Sequence, residues 1–485
     1  MSHCNAPDGK PVSDRLLRLR WPSVLCVISA LLLILGLLIP RQRRESASQS
    51  AAAGTIAEAD GAQTASAVDS PYRHTTPHHR GGPPDLTPEQ IVAGKVAQFA
   101  QKRRKLVQAI ARRSQKEIPP EVKKFFDAIE SGNWDNITNQ WHELALHSSQ
   151  YEYSTNHWEN LDPFWPSVLD AYGVAEQAHL WPAQKLLDYG NAIMGALRPG
   201  MVYVGGTDDG RWVPELINET SDGEQHIVLT QNALADGRYL DFVNDLYGDR
   251  MSPLSQDDSK RAFEDYINDA KKRLEHDQQF PDEPKQVLPG ENIQVVDGKV
   301  LAQGQVAVMA INERLVQMLM QKNPDMSFAL QESYPLRATY ADALPLGPLM
   351  ELNARSDENT FTAERATQSV DYWRQATQQV LSDFDASGSD TVLRAYSHDV
   401  STTANLLAAH NFDSQAEEAY RLAMQVCPWN PESVGGLANL LAASGRDAEA
   451  HQLLDKFSSQ YPEQRSTLQK FTPGLAIAGK PASAK

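Results

Sequence analysis

Three short polar clusters carry the residue types from which a ligand site could be built. The first is Gly205-Gly206-Thr207-Asp208-Asp209-Gly210-Arg211, the second runs from Gln231-Asn232 to Asp236, and the third is Gln331-Glu332. Glycines let a backbone approach a bound molecule closely. Asp208, Asp209 and Arg211 are costly to bury unless a partner or a ligand satisfies them. Carboxylates, amides and one guanidinium together suit a saccharide, a peptide or a divalent cation. The same residues also read as helix-capping turns joined by an Asp–Arg ion pair, and both readings stand at this level. The glycine loop matches neither a phosphate-binding loop nor the dinucleotide fingerprint. Two aspartates would also repel a phosphate in the absence of a cation. Elsewhere Ser, His and Asp are too scattered to name a nucleophile, a base and an acid, so no catalytic residue, cofactor or metal site is assigned.

Each cluster follows a short apolar run. Residues 201–204, 226–230 and 328–330 read as buried strands, with helices between them and after them. One such helix is expected from the Ser255 cap to about residue 274, and another over 306–322. Residues 293–301, with Asp297-Gly298 at their middle, signal a hairpin. Strand and helix alternation predicts an α/β domain over 161–355 with a mostly parallel sheet. In such a sheet the polar residues after the strands face a common crevice. Val204, Thr230 and Leu330 are therefore expected side by side, with Asp208, Arg211, Asn232 and Glu332 on one rim.

The front of the chain is of a different kind. Residues 21–39 are free of charge, and at ~1.5 Å per residue they make a helix of ~28 Å, enough to cross a bilayer core. Arginines flank the run on both sides, so charge alone sets no orientation. Pro40 and a basic cluster stand where a signal peptide would place small residues for cleavage. The expectation is an uncleaved single anchor, with residues 1–20 in the cytoplasm and the body outside it, periplasmic in an inner-membrane setting. Residues 40–85 are rich in Ser, Ala, Gly, Thr and Pro and read as a tether. His74, His78 and His79 lie in it without carboxylate or cysteine partners. A helical segment is expected over 86–160. It opens on the Thr87-Pro88-Glu89-Gln90 capping box and includes a helical hairpin over 121–146 turning at Gly132. The first helix carries Lys102, Arg103, Arg104, Lys105, Arg112 and Arg113, which read either as a solvated face or as a surface for anionic headgroups.

Charge is divided unevenly along the 485 residues: residues 1–120 balance at +8 and the rest at −25, giving −17 overall. An acidic body repels phosphodiester backbones, which argues against nucleic-acid binding. The three cysteines, Cys4, Cys26 and Cys427, give no disulfide framework.

Near the C-terminus, Ala404 and Ala438, Ala416 and Ala450, and Pro428 and Pro462 are all separated by the same interval. Small residues let two antiparallel helices approach closely, and the proline ends the second helix. That interval is the repeat length of tetratricopeptide proteins. Asn411 and Gly445 fall at the turns within each pair, and Phe457 stands where the first copy has Ala423. Two repeats are expected over 397–465, after connecting helices over 356–396 and before a tail over 466–485.

The segments VYVGGTDDGRWVP, LTQNALADGRYLDFVNDLYG, GQVAVMAINERLVQ, NPDMSFALQESYPL and AYRLAMQVCPWNPESVGGLANLL resemble a bacterial membrane-anchored family. Similar segments form the soluble extracytoplasmic region of multi-spanning membrane proteins related to glycosyltransferases of the protein mannosyltransferase type. The resemblance covers roughly residues 120–465. It implies an envelope setting and at most recognition of sugar or protein substrates. This chain differs where relatives usually have proline at Asp209 and glutamate at Gln331, and residues 340–348 lack the expected aromatic and histidine pattern. The multi-spanning part that would carry donor chemistry is absent, so no transferase activity is carried over. Two functions follow as expectations. One is an envelope scaffold that binds a protein partner through its repeats. The other is an accessory or catalytic subunit of a glycan-transfer system that uses the crevice.

Overall fold

The computed structural model describes residues 86–150, 156–206, 208–288, 291–296, 299–331, 337–352 and 360–472, together with Leu475. The expected anchor, the tether, the three tether histidines, Thr207 and Glu332 lie outside the described residues. Among those described, no helix is long and apolar enough to cross a membrane.

The described chain is mainly helical. Helix α1 (Pro88–Ser114) starts as expected: Thr87 Oγ1 accepts from the Gln90 backbone, and Gln90 Oε1 accepts from the Thr87 backbone. Val92, Val96, Phe99, Arg103, Val107 and Ile110 form its buried stripe, the spacing of one helical face. Gly132, at φ +71°, turns α2 (Pro120–Ser131) into α3 (Trp134–Ala145). Two further helices, α4 (Trp165–Leu180) and α5 (Ala183–Ala196), lead to the sheet.

The central region runs β1 (Val202–Gly205), α6 (Asp208–Glu219), β2 (Ile227–Thr230), α7 (Gly237–Tyr247) and α8 (Gln256–Gln279). It continues through β3 (Asn292–Val296), β4 (Lys299–Gln303), α9 (Gln305–Lys322), β5 (Phe328–Leu330), α10 (Arg337–Tyr340), β6 (Leu344–Leu346) and β7 (Leu349–Leu352). Strands β3 and β4 form a separate antiparallel hairpin as expected, with its tip outside the described residues. The other five strands make one sheet in the order β2-β1-β5-β7-β6.

That sheet is mixed, which corrects the expectation of a mostly parallel one. β2, β1 and β5 are parallel, whereas β7 is antiparallel to both β5 and β6. Gly347-Pro348 alone joins β6 to β7, so short a connection can only make a hairpin, and it is the second strand of that hairpin that lies against β5. Strand periodicity divides the sheet's contacts. Tyr203, Val228, Ala329 and Leu349 pack on α1 to α6, while Val202, Val204, Ile227, Leu229, Phe328 and Leu330 pack on α7, α8 and α9. Helices therefore cover both faces, and the leading helical segment shares its core with the sheet.

After β7 come α11 (Ala363–Ser382), α12 (Phe384–Ser387) and α13 (Asp390–Ala409). The chain ends in α14 (Asp413–Val426), α15 (Pro431–Ala443), α16 (Asp447–Gln460) and α17 (Arg465–Phe471). Helices α13 with α14 and α15 with α16 fold back on each other as pairs. Ala404, Ala416, Ala438 and Ala450 are wholly buried at those contacts. Asn411 (φ +61°) and Gly445 (φ +75°) make the two turns, the left-handed geometry their residue types suit. Pairing begins at Asp390, ahead of the expected boundary at 397.

Candidate functional site

The parallel register places Val204 between Leu229 and Leu330, and Gly205 beside Thr230. Three strand ends thus share one rim as expected, and the chain's own groups close that rim. Gly205 lies so near the Gly210 carbonyl that a Cβ there would strike it. A Cβ on Gly210 would come within 2.9 Å of Gln331 Oε1. These glycines bring the first turn of α6 down onto β1, which is the close backbone approach their type permits. Tyr203, reaching up from β1, has its hydroxyl against both Gln331 Oε1 and the Gly210 carbonyl.

Gln231, Asn232 and Asp236 also serve the fold. Thr230 Oγ1 and Asn232 Nδ2 donate to the Gly206 carbonyl at 3.0 and 2.8 Å. Asn312 from α9 holds the following turn, accepting from the Ala235 backbone at 3.0 Å. Asp236 caps α7 through the Arg238 backbone and pairs with the Arg238 side chain. Gln231 is buried, and its Oε1 has no hydrogen-bond partner among the described residues.

Arg211 leaves the rim altogether. Its Nη2 meets Asp170 Oδ1 at 3.0 Å, and Arg103 Nε meets Asp170 Oδ2 at 2.7 Å, so one buried carboxylate bridges two guanidiniums. Arg103 also reaches Glu215 at 2.7 Å and Glu219 at 3.2 Å. The Asp–Arg pair expected within the glycine loop is replaced by one between Arg211 and Asp170 of α4, which no local spacing indicated. Burial works against the Asp170 charge, yet Arg103 and Arg211 hold its carboxyl below the usual range. Burial, reinforced by Asp170, pushes Glu215 well above it. Two guanidiniums, with Lys102 3.6 Å from Glu219, thus face the carboxyls of Asp170, Glu215 and Glu219.

What stays half-exposed at the rim is acidic. Asp208 and Asp209 open α6, where carboxylates favour the positive end of the helix. Glu176 on α4 accepts from the Tyr172 hydroxyl at 3.0 Å. Burial, with Asp208 nearby, pushes the Glu176 carboxyl up to about 7 against the pull of that hydroxyl. Glu176 was not among the expected site residues. It follows the apolar run Gly173-Val174-Ala175 on a largely buried helix, and a lone carboxyl in such surroundings is the signal that could have found it. Among the described residues, no group of three or more His, Cys, Asp or Glu side chains could hold a metal ion.

A second network seams the sheet to the repeats. Gln331 Nε2 donates to Asp399 at 3.0 Å to Oδ1 and 3.2 Å to Oδ2, and it contacts the Tyr189 hydroxyl, which donates to Asp399 Oδ2 at 3.0 Å. On the repeats, His398 Nδ1 lies against Glu432 Oε2. They occupy equivalent positions in successive repeats, as Asn405 and Asn439 do.

No family model, curated protein or solved structure matches the chain.

Proposed function

We propose that this chain is a membrane-tethered docking protein whose tetratricopeptide-like repeats bind a protein partner outside the cytoplasm. The observation that carries this reading is the closure of the strand ends. Gly205, Gly210, Tyr203 and Gln331 fill the place where an α/β enzyme would hold a small ligand, and Gln331 continues from there into Asp399 of the repeats. In this reading the sheet and its helices are a mount, and the helix pairs are what the mount presents. The family resemblance supports a bacterial envelope setting for such a body.

A second reading rests on Glu176. A half-buried carboxyl that titrates near neutrality beside Asp208 could trade protons with a sugar hydroxyl, as an accessory or catalytic subunit of a glycan-transfer system would require. A thermal-shift screen of the detergent-solubilised full chain separates the two. Sugars, lipid-linked sugar phosphates and divalent cations leave the melting temperature unchanged under the docking reading. A saturable rise that Glu176→Gln abolishes favours the second.

A further inference from the structure

The solvent-facing stripe of α1 differs from the rest of this acidic protein. Gln101, Lys105, Gln108 and Arg112 follow one another at helical spacing and are all exposed, with no carboxylate among them. The stripe continues past the left-handed turn at Gln115 to Lys116, and α2 adds Lys123 from the other side. Gln108, Arg112, Gln115, Lys116, Ile118 and Lys123 border a shallow, open depression of about 500 Å³, with Glu117 the one acid on its edge. Other cations of α1 are paired: Arg103 in the buried cluster, and at the surface Arg104 with Asp127 and Glu130 and Arg113 with Asp245. Among the described residues, Lys105, Arg112, Lys116 and Lys123 form no ion pair.

We propose that this face lies against an anionic lipid surface and orients the body on the membrane. The proposal rests on the anchored reading above and goes beyond it. Charge complementarity selects the occupant: each Lys or Arg near an anionic bilayer gains attraction, while the −25 balance of residues 121–485 is repelled. Reach is consistent with it. α1 is the first described element, and as a 27-residue helix it is ~40 Å long. At no more than ~3.6 Å per residue the stretch of chain between the apolar run at 21–39 and α1 can reach well beyond that length, enough for the basic end of α1 to meet the bilayer. A broad, open depression also suits a surface better than a small enclosed ligand.

The test uses the full chain reconstituted into vesicles of phosphatidylcholine alone, or of phosphatidylcholine with a third phosphatidylglycerol. A membrane-impermeant amine reagent then labels exposed lysines, and mass spectrometry reads each site. Labelling of Lys105, Lys116 and Lys123 should fall about threefold on the anionic vesicles and recover at ~1 M salt, where screening is complete within ~3 Å. Lys456 and Lys470 of the repeats should not change. In the Arg112→Glu/Lys116→Glu variant, protection at Lys105 and Lys123 should be lost. Equal labelling on both lipids overturns the proposal alone. So does protection on both lipids that ignores salt, which would mean that the chain's own N-terminal part or another protein covers the face. A chain that fails to float with either vesicle overturns the proposal and the anchored reading together.

Discussion

Gln331 Nε2 lies 3.0 Å from Asp399 Oδ1, and both side chains are almost wholly buried. The first ends β5 and the second sits in α13, so this amide–carboxylate bond fastens the sheet to the first helix of the repeats. Tyr189 and Tyr203 satisfy the remaining polar atoms from α5 and β1. Gln331→Glu would set a second carboxylate against Asp399 in place of the amide that now donates to it. The variant should lose about 3–5 kcal/mol at pH 8. It should recover much of this near pH 4.5, because two close carboxyls share one raised pKa and the proton that relieves them is lost as pH rises. Denaturant midpoints at the two pH values check it; a loss that does not change with pH refutes the assignment.

Glu176 gives the wild-type protein a pH dependence of known sign. Its folded-state value of about 7 lies above the ordinary 4.5, so the native state keeps a proton that the unfolded chain releases. The stability it contributes is present below about 4.5 and is lost as pH rises through 7. Glu176→Gln should therefore match the parent at pH 4.5 and exceed it by about 2–3 kcal/mol at pH 8. Parallel pH profiles for the two proteins would show that Glu176 is not held protonated.

Arg103 is the most buried cation among the described residues, 1% exposed and bound to three carboxylates from α4 and α6. Arg103→Met keeps much of the volume and removes the charge. The expected cost is about 3–5 kcal/mol, since Asp170 is left with Arg211 alone and Glu219 with Lys102 alone, while both keep their desolvation penalty. The loss should shrink toward acid pH as the carboxyls protonate. A midpoint within about 1 kcal/mol of the parent, by urea unfolding, would mean that the cluster is incidental to the fold.

Much of this architecture was legible in the residues. Apolar runs followed by polar clusters marked the three adjacent strand ends, and the regularly recurring alanines marked the helix pairs. The Thr87 box marked where α1 begins. What escaped notice has physical reasons. β6 and β7 are too short for alternation to show, so the antiparallel half of the sheet went unseen. The rim was read from local sequence, but its groups find partners in distant elements: Arg211 goes to Asp170, and Gln331 goes to Asp399. Arg103 was counted with its basic neighbours, although Phe99, Arg103 and Val107 follow the i, i+4 spacing of the buried stripe. That register would have singled it out.

In the docking reading the repeats, and not the strand ends, meet the partner. Site-specific photo-crosslinking in cells producing the full chain tests it most directly. A crosslinker at Asn439 on α15 or His451 on α16 should each give a discrete adduct with the same protein. Lys271 on α8 should give none. Ala450→Trp, which overfills the contact between α15 and α16 at a cost of about 1–3 kcal/mol, should weaken both adducts. No adduct from either repeat position, or the same adduct from Lys271, would mean that the repeats are not the docking surface.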